Sequence, residues 1–198
     1  MDERLKSLFL IFAVAGLFAG GYFLLNWISE SRDVFILNST IDNLIPFKAG
    51  WIYIYISIYF IIFSPVFVIR DYQFFKKAVR AYIFILAVSF FIFAIFPVKM
   101  IRPSIGGEDL ASILVKLLYE MDRPYNCFPS IHVSAIFLSS FICLKLNRSF
   151  GMAMLLLAIF ISFSTMFTKQ HYFLDVAGGI ILGSLAYLLF FRSTTTSS

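Results

Sequence analysis

Apolar and polar residues follow one another in long blocks along this chain, without the short periods typical of a soluble domain. Six blocks are mainly apolar and have lengths near the ~20 residues that a helix needs to cross a bilayer. The pattern therefore predicts six membrane-spanning helices, at Ser7 to Ile28, Ala49 to Ile69, Ala81 to Val98, about Ser130 to Leu144, Ser149 to Phe167 and Tyr172 to Phe191.

These blocks predict an all-α polytopic membrane protein, a six-helix bundle that forms one domain over residues 1–198. Residues 193–198 have the composition of a disordered tail. The first block follows Arg4 and Lys6, as the apolar core of a signal peptide would. Its apolar run is too long for a signal peptide, and no small-residue cleavage site precedes Glu30. We therefore interpret it as a membrane anchor.

The composition agrees with this class, because 61% of the residues are hydrophobic and only 14% are charged. The side of the membrane that holds both termini carries nine Lys and Arg residues and three acids, and the other side carries seven and eight. The positive-inside rule then predicts cytoplasmic termini. Because this asymmetry explains the net charge of +5, no nucleic-acid partner is expected. The expected partners are the bilayer and a lipid substrate.

Two outer loops have helical patterns of their own. Between Glu108 and Met121 apolar residues recur at helical spacing, with acids in the first turn, which predicts a helix lying in the membrane interface. Such a helix could control the access of a lipid headgroup, or it could only anchor the loop. Asp33 to Ile45 shows a weaker form of the pattern. Cys127 and Cys143 are expected to be free thiols, because 16 helical residues separate them by roughly 24 Å.

The chain has only two histidines. His171 and Asp175 are four residues apart at the start of the last span, so on a helix they share one face. The carboxylate could then orient the imidazole and leave its second nitrogen free to attack. The alternative is a surface pair that supports the helix start. A functional role is favoured by the position, because polar groups at the rim of a membrane span are costly.

The second histidine follows a helix start. Pro129 suits a first helical turn, the Ser130 hydroxyl can donate to an anion, and free N–H groups there form an anion cradle. His132, two residues on, could protonate a leaving oxygen. The alternative for Pro-Ser is simple helix capping.

Three cations lie in the outer loops, against the topology rule: Lys99, Arg102 and Lys169. Singly, each could extend along the membrane interface. Together with two histidines they predict a phosphate pocket, because phosphoryl transfer mainly needs positioning and charge neutralisation. No carboxylate cluster with metal-ligand spacing accompanies them, so neither a metal nor another cofactor is expected.

These motifs resemble the type 2 phosphatidic acid phosphatase superfamily of integral membrane lipid phosphatases, with its phosphotransferase relatives. The family pattern is Lys, six residues and Arg-Pro, then Pro-Ser-Gly-His, then Ser-Arg, five residues, His, three residues and Asp. The matching segments are Arg102-Pro103, Pro129-Ser130-Ile131-His132 and His171-x-x-x-Asp175. With the six spans, the resemblance covers effectively the whole chain.

The chain departs from this pattern at three points. The family lysine falls at Ile95, the glycine is Ile131, and the Ser-Arg pair falls on Ser164-Thr165. Lys99 and Lys169 stand nearby and could replace the missing cations. The strings Phe-Pro-Ser-x-His-Val and His-Tyr-x-x-Asp-Val are similar to the branch that includes inositol phosphorylceramide synthases.

The resemblance implies a metal-independent lipid phosphatase that acts on the extracytoplasmic face through a phosphohistidine. In this scheme His171, oriented by Asp175, attacks phosphorus and His132 protonates the departing alcohol. The phosphate is held by Lys99, Arg102, Ser130 and Lys169. A lipid phosphotransferase, in which an acceptor alcohol replaces water, is the first alternative. A non-enzymatic channel or transporter is the second, although transport sites usually lie near the membrane midplane.

Overall fold

The computed structural model describes residues 2–192, so the tail predicted at 193–198 lies outside the described residues. The described chain is helical apart from its loops and one isolated β-bridge between Phe35 and Val98. Its helices are α1 (Glu3–Glu30), α2 (Thr40–Leu44), a 3-10 turn (Ala49–Trp51), α3 (Ile52–Ile56), α4 (Ile58–Phe63), α5 (Pro65–Val68), α6 (Tyr72–Ile95), α7 (Leu110–Met121), α8 (Ile131–Leu146), α9 (Arg148–Phe167) and α10 (Phe173–Phe191).

The all-α polytopic membrane fold is confirmed. Five helical segments of the described chain are long and apolar enough to cross a bilayer: α1, Ala49–Val68, α6, α9 and α10. The fourth predicted span is present as α8, but this apolar helix has only 16 residues. At 1.5 Å per residue it is about 24 Å long, which is less than the ~30 Å thickness of the hydrocarbon core.

The second span is a broken helix, whereas the sequence pattern predicts one continuous element. It divides into α3, α4 and α5 at Ser57 and Ser64. The Ser64 hydroxyl donates a hydrogen bond back to the carbonyl oxygen of Ile61 at 2.7 Å, and Ser57 does the same to Ile54. Pro65 follows directly and has no N–H to continue the helical ladder. Local side-chain chemistry therefore segments an otherwise apolar run.

Helix α8 lies at the centre of the bundle. Its most extensive contacts are with α9 and α10, and 11 of its 16 residues are buried. A helix that is apolar on all sides, as α8 is, is typical of a buried position. Helix α1 lies at the periphery, where it packs mainly against α6 and leaves most of its surface to the lipid. The short fourth span is thus surrounded by protein.

The predicted interfacial helix is present as α7. The Asp109 carboxylate begins it by accepting hydrogen bonds from the N–H groups of Ala111 and Ser112. Val115 is buried against the bundle, while an apolar row on the other face is exposed: Leu110, Ile113, Leu117 and Met121. This row is suited to contact with the bilayer surface. The weaker pattern of the first outer loop corresponds to α2.

Two glycines allow α8 and α10 to approach each other closely. A Cβ atom added to Gly183 would lie 2.5 Å from the carbonyl oxygen of Ser134, and one at Gly179 would lie 2.8 Å from that of Ser130. Both neighbours are backbone atoms, which cannot rotate away. Membrane helices commonly use such small residues to bring their backbones together.

Gly183→Ala should therefore destabilise the bundle, because the added methyl group forces α8 and α10 apart. Overpacking of this kind costs about 1–3 kcal/mol, which thermal unfolding in detergent would register as a lower Tm. Gly16→Ala in α1 is the matched control, because an added Cβ there meets no atom within 4 Å. Equal Tm values for the two variants would contradict the close contact.

Candidate active site

The two histidines meet at the N-terminal ends of α8 and α10. His132 lies in the first turn of α8, and His171 lies two residues before the start of α10. The centroids of their rings are 6.3 Å apart, and the rings are inclined at 61°. The backbone N–H of Ser130 donates to the carbonyl oxygen of Asp175 at 3.1 Å, which joins the two helix starts. One phosphate ester placed between the rings could contact both.

Asp175 lies beside His171, as the spacing of four residues predicts. The distance from His171 Nδ1 to Asp175 Oδ2 is 3.5 Å, and the two side chains are 8% and 0% exposed. The same carboxylate oxygen accepts a hydrogen bond from the N–H of Tyr172 at 2.8 Å. The aspartate thus caps the start of α10 and lies next to one imidazole nitrogen, at a distance longer than a hydrogen bond.

Ser130 is fully buried and serves as the N-cap of α8. Its Oγ accepts a hydrogen bond from the N–H of Val133 at 3.3 Å. This is the capping role that the sequence left open as an alternative. The capping bond does not use the hydroxyl hydrogen, so Ser130 keeps one donor.

Two of the three predicted cations share one cavity. Arg102 and Lys169 line a polar cavity of about 380 Å³, together with the Asp42 carboxylate and the amides of Asn38 and Asn43. Lys99 lies elsewhere: its ammonium group is 5.1 Å from the centroid of the Tyr125 ring. The structure therefore brings Arg102 and Lys169 together, and it does not place Lys99 with them.

Lys169 stands in a constrained turn just before His171. Its backbone φ is 52°, a left-handed value that is uncommon for a residue with a side chain. Its Nζ donates to the carbonyl oxygens of Ile45 at 2.6 Å and Asp42 at 3.2 Å. Partial burial lowers the pKa of Lys169, and the Asp42 carboxylate opposes this shift. The ammonium group keeps one further donor for a ligand.

His132 also borders a second cavity, on the membrane side. This cavity has a volume of about 220 Å³, and its lining is almost entirely apolar. It lies between α1, α4, α5, α6 and α8, with contributions such as Phe18, Ile62 and Leu86. His132 therefore borders the apolar cavity, and Tyr172, which follows His171 in the chain, lines the polar cavity.

Gln170 and Asp122 join this site, although no motif indicated them. The Arg102 guanidinium donates to Gln170 Oε1 at 2.7 Å and to the carbonyl oxygen of Asp122, and it lies 4.5 Å from the Tyr119 ring centroid. These contacts orient Arg102 next to the residue that precedes His171. A signal for Gln170 was available in the sequence, because it stands between Lys169 and His171 in a short polar string.

A second Arg-Pro pair, which the sequence analysis passed over, fits the family spacing better than Arg102-Pro103. Six residues separate Lys116 from Arg123-Pro124. In the structure the half-exposed Arg123 side chain forms an ion pair with Glu30, and Lys116 Nζ donates to the carbonyl oxygen of Gly107 at 2.9 Å. Neither side chain lines the polar cavity. Of the two arginines, Arg102 lines the polar cavity and Arg123 does not.

Cys127 is the one residue near the histidines that could complete a metal-binding set in the described chain. Possible ligand atoms of Cys127, His171 and Asp175 lie within 4.8 Å of one another. Both cysteines are free and buried, as expected. Burial raises the pKa of the Cys127 thiol well above its usual value, and the nearby Asp175 adds to the shift.

Comparison with known proteins identifies the family. A family model described as the PAP2 superfamily matches residues 36–189, a range that contains both histidines, Asp175, Arg102 and Lys169. No curated protein and no solved structure matches the chain. Because the matched range covers well over half of the chain, the protein belongs to the PAP2 superfamily, the lipid phosphatase and phosphotransferase superfamily that its motifs resemble.

Proposed function

We propose that the protein is a lipid phosphate phosphatase whose phosphohistidine intermediate forms on His171 at the extracytoplasmic face. One observation carries the proposal: the two histidine rings lie 6.3 Å apart, His132 borders an apolar cavity, and Tyr172, which follows His171 in the chain, lines a cavity that also holds Arg102 and Lys169. A substrate that fits both must combine an anionic group with a hydrocarbon chain. A lipid phosphate or lipid diphosphate has this combination.

The two histidines have different roles in the reaction. His171, oriented by Asp175, attacks phosphorus as the bond to the lipid oxygen breaks, and His132 gives its proton to that oxygen. Water then attacks the phosphohistidine, and His132 takes a proton from this water. Arg102 and Lys169 offset the negative charge of the phosphoryl group in both steps. The side chains of this site supply the needed positive charge without a metal.

A phosphotransferase remains the second candidate. The polar cavity of about 380 Å³ carries the amides of Asn38 and Asn43, which could hold the hydroxyl groups of an acceptor alcohol. An acceptor that reaches phosphorus before water would convert hydrolysis into transfer.

One panel of substrates tests both candidates. Purified protein would be given phosphatidate, phosphatidylglycerol phosphate, an isoprenyl diphosphate and a lipid A phosphate, each with and without a polyol acceptor. Phosphate release without an acceptor supports the phosphatase, and a new phosphodiester or phosphomonoester product supports the transferase. No reaction with any member would contradict both.

Substitution of the histidines should separate their roles. His171→Ala should lower kcat by at least about a thousandfold on every substrate, because the nucleophile is lost. His132→Ala should lower it by about 10²- to 10⁴-fold on a lipid phosphate but much less on an aryl phosphate, whose leaving group needs no proton. Near-normal turnover by His171→Ala would remove the phosphohistidine mechanism.

Substitution of the lysines tests whether the phosphate binds in the polar cavity. Lys169→Ala should lower kcat/KM by roughly ten- to a thousandfold, the scale for losing one group that stabilises the transition state. Lys99→Ala should have a smaller effect, because Lys99 packs over Tyr125, outside the polar cavity. Steady-state kinetics on folded, monodisperse variants would measure both. A larger loss for Lys99→Ala would show that the phosphate lies nearer to that side chain.

Metal removal provides a third measurement. Turnover should be unchanged after incubation with EDTA, because Arg102 and Lys169 supply the positive charge that a metal provides in other phosphatases. A strict requirement for Mg²⁺ that added metal restores would contradict this prediction.

Cysteine labelling tests the proposed orientation, with the site outside and both termini in the cytoplasm. Gly106→Cys should react with a membrane-impermeant maleimide added to intact cells, because a side chain there meets no atom within 4 Å. Gln73→Cys, exposed in the first turn of α6, should react only after permeabilisation. The two native cysteines are buried, so their background should be low. The reverse pattern would place the chemistry in the cytoplasmic leaflet.

A further inference from the structure

The position of the His171 ring depends on the backbone that carries it. Its Nδ1 has no hydrogen-bond partner in the described part of the chain, and Asp175 Oδ2 lies 3.5 Å away. The residue also precedes α10, so it lies outside the hydrogen bonds of that helix. A nucleophile must stay within about 0.5 Å of its attacking position, because a displacement of about 1 Å can cost roughly a hundredfold in rate. The contacts of residues 169–173 therefore determine where the ring lies.

One residue of a distant loop contacts this segment on both sides of the histidine. Before His171, the Lys169 ammonium group donates to the backbone carbonyl oxygen of Asp42 at 3.2 Å. After it, the backbone N–H of Phe173 donates to the Asp42 carboxylate, at 2.7 Å from Oδ1. Asp42 and Phe173 are 131 residues apart in the chain, so only the packing of the loops brings them together.

Asp42 is itself held in place. Its Oδ2 accepts hydrogen bonds from the N–H of Ser39 at 2.8 Å and from the Ser39 hydroxyl at 2.5 Å, as part of a capping box at the start of α2. The residue is only 5% exposed. Its loop is also joined to the end of α9, where the N–H of Lys48 donates to the carbonyl oxygen of Phe167 at 3.0 Å. One carboxylate oxygen thus fixes Asp42 in α2, and the other binds the start of α10.

The bond to Phe173 uses an N–H group that α10 leaves free. Phe173 is the first residue of this helix, and the first N–H groups of a helix have no partner within it. The helix dipole favours an anionic acceptor there. Asp175 accepts from the N–H of Tyr172 in the same turn. The start of α10 therefore has two carboxylates, one from its own first turn and one from the loop of α2.

We propose that Asp42 is a positioning residue, which holds Lys169 and Phe173 and so fixes the backbone of His171 where its ring can attack phosphorus. The catalytic part of this inference rests on the proposed function. Asp42 forms and breaks no covalent bond in the reaction. It remains ionised and bound to the Phe173 N–H while His171 bonds to phosphorus and the bond to the lipid oxygen breaks.

The alternative role is purely structural, because Asp42 also orders α2 at the edge of the polar cavity. Loss of that order would weaken substrate binding or reduce the amount of folded protein. It would not slow the chemical step in protein that is folded and saturated with substrate. Changes that remove the capping box and the Phe173 bond separately therefore distinguish the two roles.

Proline at position 173 removes this hydrogen bond without changing Asp42. Proline has no N–H and is common at the first position of a helix. Tyr172 has φ −76° and ψ 161°, in the extended region that a residue before proline adopts. Phe173→Pro therefore fits the backbone, and Phe173→Ala, which keeps the N–H, controls for the lost ring. Ser39→Ala removes the hydroxyl of the capping box and leaves the Asp42–Phe173 bond in place.

Single-turnover kinetics at saturating protein measures the chemical step, and its rate constant does not depend on the fraction of protein that is folded. Asp42→Ala and Phe173→Pro should each slow the conversion of a labelled lipid phosphate by about ten- to a hundredfold. The double variant should lose no more than about the larger single loss, because both changes break the same bond. Ser39→Ala and Phe173→Ala should stay within about threefold of the wild type.

Wild-type rate constants for both Asp42→Ala and Phe173→Pro would overturn the proposal, and so would an equal loss in Ser39→Ala. If Asp42→Ala does not fold, Phe173→Pro and its alanine control decide the question alone.

A second measurement needs no turnover. Since the chain has two histidines, His132→Ala leaves His171 as the only one in tag-free protein, and its ring signals can be followed by NMR in detergent. Adding Asp42→Ala or Phe173→Pro should move or broaden these signals, because the segment that carries the ring is released. Adding Ser39→Ala should leave them in place. Unchanged signals in the first two variants would refute the positioning role, whereas failure of the proposed function would show as a wild-type protein that releases no phosphate.

Discussion

The close contact between α8 and α10 determines the rest of the site. Gly179 and Gly183 let α10 lie against the backbone carbonyls of Ser130 and Ser134 in α8. The N–H of Ser130 then bonds to the carbonyl oxygen of Asp175, so the two helix starts are joined directly. Because each histidine lies at one of these starts, their separation is set by backbone packing instead of by flexible loops. Sites supported in this way hold their geometry more tightly than sites on loops.

This arrangement explains why a short helix can serve as the fourth span. Helix α8 is surrounded by other helices, so its ends need not reach both membrane surfaces. The loops that carry Arg102 and Lys169 meet at the polar cavity, which Tyr172, the residue after His171, also lines. The apolar cavity is bordered by His132. In the proposed function, the hydrocarbon chain of a lipid phosphate would occupy the apolar cavity and its phosphate would lie near the histidines.

Much of the fold could be predicted from the sequence, because membrane spans depend on local composition and length. The breaks at Ser57 and Ser64 were missed, since they depend on hydroxyl groups that bond back to the helix within an otherwise apolar run. The spacing of four residues pointed to the contact of His171 with Asp175, but His171 lies before α10, so the two side chains meet across the turn that caps this helix. No local pattern links Tyr22 to Asp122, which are separated by 100 residues and meet only through packing of α1. Lys99 is predicted to bind phosphate because it stands near Ile95, the position of the family lysine. In the structure its ammonium group instead lies over the Tyr125 ring.

The most direct test of the central claim is to trap the covalent intermediate on the protein. Purified protein would be mixed with a lipid phosphate labelled in its phosphoryl group, quenched within milliseconds to seconds, and examined for label that survives base but not acid, as expected of a phosphohistidine. The account predicts such label on the peptide that contains His171, and none in His171→Ala. Steady phosphate release without bound label at any quench time, or label on a different residue, would contradict His171 as the nucleophile.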